Sequence, residues 1–479
     1  MGILAGFVVP HPPMIVPDVG RGSEARIKET AEAYEQVARE IALLKPDTII
    51  ITSPHTTMYS NYFHISPGKG AKGDLGDFRA PKVKFDEEYD YELVNRLVDI
   101  TYNAGFPAGI EGEREKRLDH GTMVPLYFIR KFYGKGKIVR IGLSGLSLID
   151  HYQLGIYIKN VVNELGRRAV FVASGDLSHK LQEYGPYGYA PEGPLYDDRI
   201  MDTLGRAAFG EMLEFDEEFC DKAAECGHRS FVIMSGAFDG VNVKSKVYSH
   251  QDVTGVGYGV CSIYPIAEDD YNEENKNDEN KKAEDRCFLD KFLAKLEEDK
   301  SRSDGYVKLA RASLESYIIN KKKLRLLDDI PSEIMSELPR EAFEKQAGAF
   351  VSIHKNGELR GCIGTIAPTT ECVAEEIINN AISASTRDPR FDAITEDELK
   401  WLEINVDILG EPEDIDGPDE LDVKRYGVIV SCGMRRGLLL PDLEGVDDVE
   451  TQISIAMRKG GIKPTDNYTL QRFEVVRHR

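Results

Sequence analysis

The chain has 479 residues, with 82 acidic and 60 basic side chains and a formal net charge of −22. This acidic balance argues against a nucleic-acid partner, because phosphate binding depends on lysine and arginine, and no apolar run approaches the roughly 20 residues that cross a bilayer. Seven scattered cysteines and the lack of a basic leader segment favour a reduced, cytoplasmic setting. The length exceeds one ordinary core, so we expect two domains.

The amino-terminal segment alternates apolar strands with amphipathic helices. Its periodicity predicts strands at 3–9, 48–53 and 169–174 and helices at 23–44 and 151–166. Such alternation predicts an α/β domain with a mostly parallel sheet and helices on both faces. We assign this domain to residues 1–266.

Residues 267–286 differ in composition from the rest of the chain. They contain nine acidic and four basic residues, and Tyr271 is their one large apolar side chain. Such a segment buries too little surface to offset its ordering entropy, which predicts a flexible linker or a solvated helix.

The remaining residues, 287–479, have a less regular pattern. A helix is predicted at 306–318, and residues 349–365 form a strand pair whose turn is Asn356-Gly357, a strong hairpin signal. Another helix, a strand and a second hairpin-like pair follow. We predict a mixed α+β domain.

Three histidines in the first domain each follow an apolar strand. His11, His55 and His179 stand in the contexts FVVPHPP, IIITSPHTT and VFVASGDLSHK. Ligands bind at the carboxyl ends of strands in open parallel sheets, so three imidazoles delivered there predict one shared site. Imidazole binds metals and transfers protons near neutral pH. Each histidine alone also fits a capping or surface role.

Further candidates lie near these motifs. His120, in RLDHGTMVPLYF, either caps the helix that follows or joins the site. Asp176 precedes His179 by three residues and is included as a proton-transfer candidate. Glu225 would complete a two-histidine, one-carboxylate set typical of non-haem iron(II), whereas the adjacent Cys226 would favour copper, zinc or a softer iron site. The residue types leave both alternatives open.

The segments HPPMIVP, SPH, DHGTMVPL and SGDLSHKL, in this order, resemble the LigB-type family of class III extradiol dioxygenases and the Memo-like proteins of that superfamily. In the dioxygenases, this resemblance implies that His11 and His55 bind iron(II) with a downstream glutamate, and that His179 is the acid/base. In Memo-like proteins the third ligand is a cysteine followed by glycine, which Cys226 matches.

LRGCIG, STRDPRF and GLLLP in the second domain resemble the AMMECR-type domain. The combination is similar to proteins of the AmmeMemoRadiSam system, which implies a radical SAM partner. From the residues alone, the second-domain site candidates are Arg360, Cys362, Arg387 and Asp388. In one interpretation Cys362 is a nucleophile in a positive field. In the other it is core packing, and Arg360 and Asp388 form a structural ion pair.

Taken together, the sequence predicts a metal-dependent oxidoreductase of the extradiol type. Its partners would be dioxygen and a catechol-like or other chelating small molecule, and its metal would be iron(II), with copper or zinc as alternatives. The competing hypothesis is a non-catalytic metal-binding or redox scaffold that works with a radical SAM protein.

Overall fold

The computed structural model describes residues 2–267, 288–326, 328–355, 358–443 and 446–479. The chain forms two compact units, Met1–Lys291 and Phe292–Arg479. Apart from Ala267, the predicted acidic linker 267–286 lies outside the described residues, as does the Asn356-Gly357 turn. Among the described helices, none is both long and apolar enough to span a membrane.

The first unit is built on a central sheet of six strands. Its strands, with those of two small additional sheets, are β1 Gly2–Val9, β2 Thr48–Ser53, β3 Phe63–His64, β4 Gly70–Leu75, β5 Ala80–Glu88, β6 Ala108–Gly109, β7 Lys137–Gly142, β8 Arg168–Ser174, β9 Val243–Gln251 and β10 Tyr258–Pro265. The central order is β7-β2-β8-β1-β10-β9. The strands β7, β2, β8 and β1 run parallel to one another, whereas β10 is antiparallel to both of its neighbours, β1 and β9. The predicted mostly parallel sheet is confirmed, with an unpredicted antiparallel edge.

The helices of the first unit cover both faces of that sheet. They are α1 Pro17–Gly20, α2 Lys28–Leu44, α3 Tyr91–Asn103, α4 His120–Phe132, α5 Leu148–Glu164, α6 Glu192–Arg206, α7 Glu217–Ala223 and α8 His228–Ala237. Alternate residues of β1 enter two different cores: Val8 packs with residues of α5 and α8, and Phe7 with residues of α2 and α4. The predicted two-sided helix cover is therefore confirmed.

One predicted helix begins later than its periodicity indicated. The sequence pattern covers 23–44, but Ser23–Ile27 form a 3-10 segment, and the α-helix starts at Lys28. Ile27, the last residue of the 3-10 segment, has φ −116° and ψ 40°, outside the α-helical region, and is the N-cap of the α-helix. The apolar pattern continues through the 3-10 turn because Ile27 is buried in the same core.

The second unit contains two antiparallel four-stranded sheets. Its strands are β11 Ala349–Lys355, β12 Glu358–Gly364, β13 Leu402–Leu409, β14 Glu413–Ile415, β15 Gly427–Cys432, β16 Arg435–Leu439, β17 Thr469–Phe473 and β18 Val475–His478. The helices after residue 287 are α9 Phe288–Arg302, α10 Gly305–Asn320, α11 Ser332–Glu337, α12 Glu341–Glu344, α13 Val373–Thr386 and α14 Val449–Lys459. The sheet orders are β12-β11-β13-β18 and β14-β17-β15-β16. The mixed α+β class and the β11–β12 hairpin are confirmed.

Each sheet of the second unit has its own apolar layer. Val351 and Ile353 of β11 are buried against residues of α10 and α13. Val428 and Val430 of β15 pack with residues of α14. The opposite face of β11, which carries Ser352, is only partly buried and does not belong to the helix-covered core.

Candidate metal centre

Strand register brings the candidate histidines to one edge of the central sheet. Val9 of β1 pairs with Ser174 of β8, and Thr52 of β2 pairs with Ala173 of the same strand. All three strands are parallel and end at the same level, so the segments that follow them must meet there. The backbone N–H of His11 completes this junction by donating to Asp176 Oδ1 at 2.7 Å.

The imidazole of His11 is oriented so that its Nε2 lone pair is free. Its Nδ1 lies 3.0 Å from Ser174 Oγ. That hydroxyl donates its own proton to the carbonyl oxygen of Gly121 at 2.6 Å, so it must accept from Nδ1–H. The proton of the neutral ring is then on Nδ1, and Nε2 is the acceptor that a metal requires.

The free nitrogen of His11 meets two other potential ligands. His55 Nε2 lies 2.9 Å from His11 Nε2, and Cys226 Sγ lies 3.6 Å from the same atom. The three donor atoms lie within 4.8 Å of one another, a spacing that fits a single ion. His11 is buried, Cys226 is partly buried and His55 is exposed, so the cluster faces solvent on the His55 side.

Cys226 reaches the cluster because two glycine backbones touch. A Cβ on Gly175 would lie 2.1 Å from Gly227 Cα, so only glycine permits this approach. The contact places the loop after β8 against the turn before α8, and the backbone N–H of Asp176 donates to Cys226 Sγ at 3.3 Å. This hydrogen bond opposes, without cancelling, the rise in the pKa of the Cys226 thiol that burial causes.

Glu225 has a different role from its neighbour. Its carboxylate accepts a hydrogen bond from the backbone N–H of His228 at 2.5 Å, at the start of α8. Burial raises the pKa of Glu225 to about 7. Among the described residues, Glu225 belongs to neither of the groups that could hold a metal. Of the two alternatives for the third ligand, the structure brings Cys226 to the histidines.

His120 contacts the site and does not cap its helix. Asp119 is the N-cap of α4, where it accepts from the backbone N–H of Thr122. The ring of His120 lies 4.0 Å from that of His55 and 5.4 Å from that of His11, measured between centroids. The Asp119 carboxylate also accepts from Ser53 Oγ at 2.6 Å, which ties the end of β2 to α4.

Asp176 and His179 form a second group beside Cys226. His179 Nδ1 lies 2.5 Å from the carbonyl oxygen of Ala224, which can only accept, so Nδ1 carries the proton and Nε2 is an acceptor. Nε2 lies 4.0 Å from Asp176 Oδ2. Asp176, His179 and Cys226 also offer donor atoms within 4.8 Å of one another. The ring of Tyr187 stands 5.0 Å from that of His179.

Partial exclusion of water, which reaches even the exposed His55, controls the protonation of the cluster. It lowers the pKa of His11 well below its ordinary value and that of His55 to about 4, and neighbouring imidazoles add to both shifts. Burial also lowers the pKa of His179 and raises that of Asp176 to about 7. The pKa of the Cys226 thiol is raised by burial and by the Asp176 charge. The histidines are therefore neutral near pH 7, the state in which they bind metals.

The second-domain candidates do not form the predicted ion pair. Arg360 binds both carboxylate oxygens of Glu398 at 3.0 Å, and Asp388 binds Arg390 at 2.7 Å. The predicted Arg360–Asp388 pair is wrong because each residue has a nearer partner. Asp388 also accepts from the backbone N–H of Cys362 at 2.9 Å. Arg387 is exposed at the end of α13.

Several residues that shape the first site were not predicted. Ser174 sets the tautomer of His11, and the Ala224 carbonyl sets that of His179. Gly121 lets α4 approach β2, since a Cβ there would lie 2.3 Å from Ser53 Oγ. Ser174 and Gly121 both stand inside the motifs SGDLSHK and DHGT, so proximity to the candidate histidines was the available signal.

Comparisons with known proteins agree with this architecture. Residues 5–261 match the model of the catalytic LigB subunit of aromatic ring-opening dioxygenase, and residues 307–478 match the AMMECR1 family. A protein of Clostridium acetobutylicum is 40% identical over 486 residues and is covered fully, as is this chain. A Thermotoga maritima protein is 48% identical over 176 residues, which is 36% of this chain and 97% of that protein.

Among solved structures, an uncharacterized protein from Pyrococcus horikoshii is 29% identical, with a TM-score of 0.33 over 36% of this chain and 89% of its own. The family matches confirm both resemblances drawn from the motifs. The chain belongs to the family of the catalytic LigB subunit of aromatic ring-opening dioxygenases, and it carries an AMMECR1 domain after the LigB domain.

Proposed function

We propose that the LigB domain is a metal-dependent oxidoreductase of the extradiol type, acting on a catechol-like or other chelating small molecule. The observation that carries this proposal is the convergence of His11 Nε2, His55 Nε2 and Cys226 Sγ within 4.8 Å. Two neutral imidazoles and a thiolate form a donor set for one transition-metal ion, with positions left for substrate.

The donor set bears on the choice of metal. Iron(II) is the metal that extradiol chemistry requires, whereas a thiolate donor also favours copper or zinc. A bound iron(II) ion would supply Lewis acidity towards a chelating diol and electron transfer towards dioxygen. A reduced, cytoplasmic setting belongs to the proposal, because oxidation of Cys226 would remove one ligand.

His179 is the proton-transfer group in this proposal. Its Nδ1–H is fixed by the Ala224 carbonyl, and its pKa is lowered by burial, so Nε2 is free to accept a proton from a substrate hydroxyl. Asp176, whose pKa is raised by burial to about 7, lies 4.0 Å from Nε2, a distance at which proton exchange would need one bridging water. His120 is a second neutral imidazole at the cluster.

Aromatic side chains on both sides of the cluster fit an aromatic substrate. Tyr187 lies against His179 and is 61% exposed, and Phe78 lies 5.2 Å from the ring of His120. Such rings contribute apolar contacts and edge-to-face packing to a planar ligand. They leave the chelating oxygens of a diol free to face a metal ion held by the three donor atoms.

The test is a turnover assay on protein loaded with iron(II) without oxygen. Catechol and protocatechuate are then added with air, and oxygen uptake and yellow ring-cleavage products are followed. The proposal predicts both signals, and it predicts their loss in His179→Ala at equal iron content. Iron-loaded protein that consumes no oxygen with either substrate would reject the catalytic function.

One observation favours a second function: the third donor beside His11 and His55 is the thiol of Cys226. Cys226 meets the histidines, whereas the Glu225 carboxylate is engaged at the start of α8. This arrangement fits a non-catalytic metal-binding or redox scaffold that works with a radical SAM partner. Stoichiometric metal binding without oxygen uptake in the same assay would favour this scaffold.

A further inference from the structure

The second unit contains a cavity of about 670 Å³. Its floor is the face of the β12-β11-β13-β18 sheet opposite the helices, and its other walls come from β16, the residues after it and α14. The volume lies within the range of about 300–1,000 Å³ that small-molecule sites occupy. The cavity is therefore large enough for a substantial organic ligand.

Strand register gives the floor of the cavity a polar row. Ser352 of β11 pairs with Cys362 of β12 on one side and with Asn405 of β13 on the other. All three side chains line the cavity, and Ser352 Oγ lies 3.3 Å from Cys362 Sγ. This row supplies a hydroxyl, a thiol and an amide for hydrogen bonds to a ligand.

The charges around the cavity are predominantly positive. Among the described residues that line it, one has a carboxylate side chain, Asp407, and five have cationic side chains: Arg390, Arg436, Lys459, Arg477 and Arg479. Asp407 is already engaged by Arg477 at 2.8 Å. Asp388 pairs with Arg390, and the described carboxylates beside the cavity do not balance the remaining cations, although the whole chain is strongly acidic. A positive cavity in an acidic protein is a local feature that attracts anions.

Among the residues that the structure describes, three cations of the lining have no carboxylate partner: Lys459, Arg436 and Arg479. Among the described residues, no carboxylate pairs with Lys459, whose electrostatic neighbours are Cys362 and Arg390. Arg436 donates to the neutral amide oxygen of Gln471 at 3.0 Å. Arg390 shares its charge with Asp388 and also contacts the Cys362 carbonyl at 3.3 Å. An anion beside Lys459 would gain charge-assisted hydrogen bonds without displacing an existing ion pair.

The rest of the cavity wall is apolar. Phe350 and Ile366 line the side of the first sheet, and Leu438, Leu440 and Leu443 line the opposite side. A ligand made only of charged groups, such as inorganic phosphate, would leave these side chains without a partner. The lining is complementary to a molecule with one anionic end and an apolar body.

We propose that this cavity is a binding site for an organic anion, with a carboxylate, sulfonate or phosphate group held by Lys459 and Arg436 and an apolar body packed between the two sheets. The site is separate from the metal cluster and does not depend on its function. Nothing in the proposal requires the thiol of Cys362 to react, but a bound ligand would cover it.

Two fluorescent probes that differ by one charged group test the proposal on the full chain. Anilinonaphthalene sulfonate is an anion with an apolar body, and N-phenylnaphthylamine is the same body without the sulfonate. We expect the anion to bind with saturable fluorescence and the neutral probe to bind more weakly by about tenfold. Equal affinity for the two probes would overturn the proposed anion selectivity.

Variants then locate the charge that the probe uses. Lys459→Gln and Arg436→Gln are each expected to weaken the binding of the anionic probe by about tenfold, and Lys459→Glu to weaken it further. Lys345→Gln is the matched control, because Lys345 is an exposed lysine of the same unit that pairs with Glu341 and does not line the cavity. Unchanged binding in Lys459→Gln, or an equal loss in the control, would contradict the site.

Alkylation of the wild-type protein gives an independent location. Cys362 and Cys432 are both partly buried free thiols of the second unit, and only Cys362 lines the cavity. Saturating anionic probe should slow iodoacetamide labelling of Cys362, mapped by peptide mass spectrometry, and leave Cys432 unchanged. Labelling of Cys362 that is unaffected by bound probe would place the probe elsewhere and overturn the proposal.

Discussion

Each domain contains a free cysteine beside a glycine, Cys226 in the first and Cys362 in the second, and the surroundings of the two differ in charge and shape. Cys226 lies in a compact cluster with two neutral imidazoles, and the Asp176 carboxylate belongs to the neighbouring group. Cys362 lies at the edge of a 670 Å³ cavity near Arg390 and Lys459. The first environment suits a cation, and the second suits an anion.

The comparison shows that the role of such a cysteine is indicated by the residues around it in space and not by those beside it in the sequence. The segments CGH, residues 226–228, and LRGCIG, residues 359–364, both place a thiol beside glycine. In the first case the glycine allows two loops to touch and brings Sγ to His11 at 3.6 Å. In the second, a Cβ on Gly361 would lie 2.3 Å from the Ala384 carbonyl, so this glycine packs the strand against α13.

The largest expected effect is the loss of metal binding in His55→Ala. His55 is exposed, so its removal opens no core cavity, yet its Nε2 is one of the three donor atoms. We expect the variant to keep its circular dichroism spectrum and to lose stoichiometric metal, measured by anaerobic titration and elemental analysis. His354→Ala, at the second-domain cavity, is the control. Wild-type metal affinity in His55→Ala would remove His55 from the ligand set.

The next effect concerns His179, which is proposed to move protons without being required for metal binding. His179→Ala should retain metal and lose turnover by about 10²- to 10⁴-fold, the usual contribution of a general acid or base. Steady-state oxygen uptake at matched metal content is the measurement. Loss of metal in this variant would instead make His179 a ligand through the group it forms with Asp176 and Cys226.

A smaller effect is expected from the Arg360–Glu398 pair of the second domain. Burial alone would raise the pKa of Glu398, but hydrogen bonds from Arg360 and from the backbone N–H of Thr395, with the charges of Arg360 and Lys355, outweigh it. They hold the pKa at about 2, below the ordinary 4.5. A carboxyl with a lowered folded-state pKa stabilises the fold above pH 4.5, and the contribution disappears as the pH falls towards 2. Glu398→Gln should therefore be less stable than wild type at pH 7.

Calorimetry of the full chain checks this pH dependence. We expect the second-domain transition of Glu398→Gln to be lower by roughly 2–4 °C at neutral pH, and the difference from wild type to shrink as the pH approaches 2. Glu396→Gln, at an exposed position of the same 3-10 segment, is the control. A difference that stayed constant across this range would contradict the ionic role of Glu398.

The smallest effect is expected from separating the two domains. Cleavage between residues 270 and 284 should leave metal binding with the amino-terminal fragment and anionic-probe binding with the carboxy-terminal fragment, each at its affinity in the intact chain. The reason is that all donor atoms of each site come from one unit. Calorimetry should give two transitions. An unfolded fragment, or a site lost on cleavage, would contradict this independence.

The sequence predicted which residues meet in the histidine cluster better than it predicted the partners of the second-domain candidates, and the reason is physical. His11, His55 and His179 follow strands whose parallel register is implied by the alternating pattern, so their convergence could be expected from local signals. Glu398 stands 38 residues from Arg360 in a segment without a distinctive motif. Its pairing depends on how a 3-10 segment packs near β12, which composition and periodicity do not encode.

The sequence also did not predict which side chain is the third donor or which tautomer His11 adopts. Glu225 and Cys226 are adjacent, and only the backbone contact at Gly175 and Gly227 determines which side chain meets the histidines. The tautomer of His11 depends on Ser174, whose role follows from a hydrogen bond to Gly121. Domain boundaries at 266 and 286 stay a prediction, as does the linker between them.

The central claim is that the metal centre has two histidines and one thiolate. Anaerobic titration of the full chain with cobalt(II) tests it directly, because a cobalt–thiolate bond produces a charge-transfer absorption that carboxylate and imidazole ligands do not. We predict this absorption in the wild type, in Glu225→Gln and in Cys362→Ser, and its loss in Cys226→Ser. A wild-type cobalt complex without the absorption, or an absorption that survives in Cys226→Ser, would contradict the account.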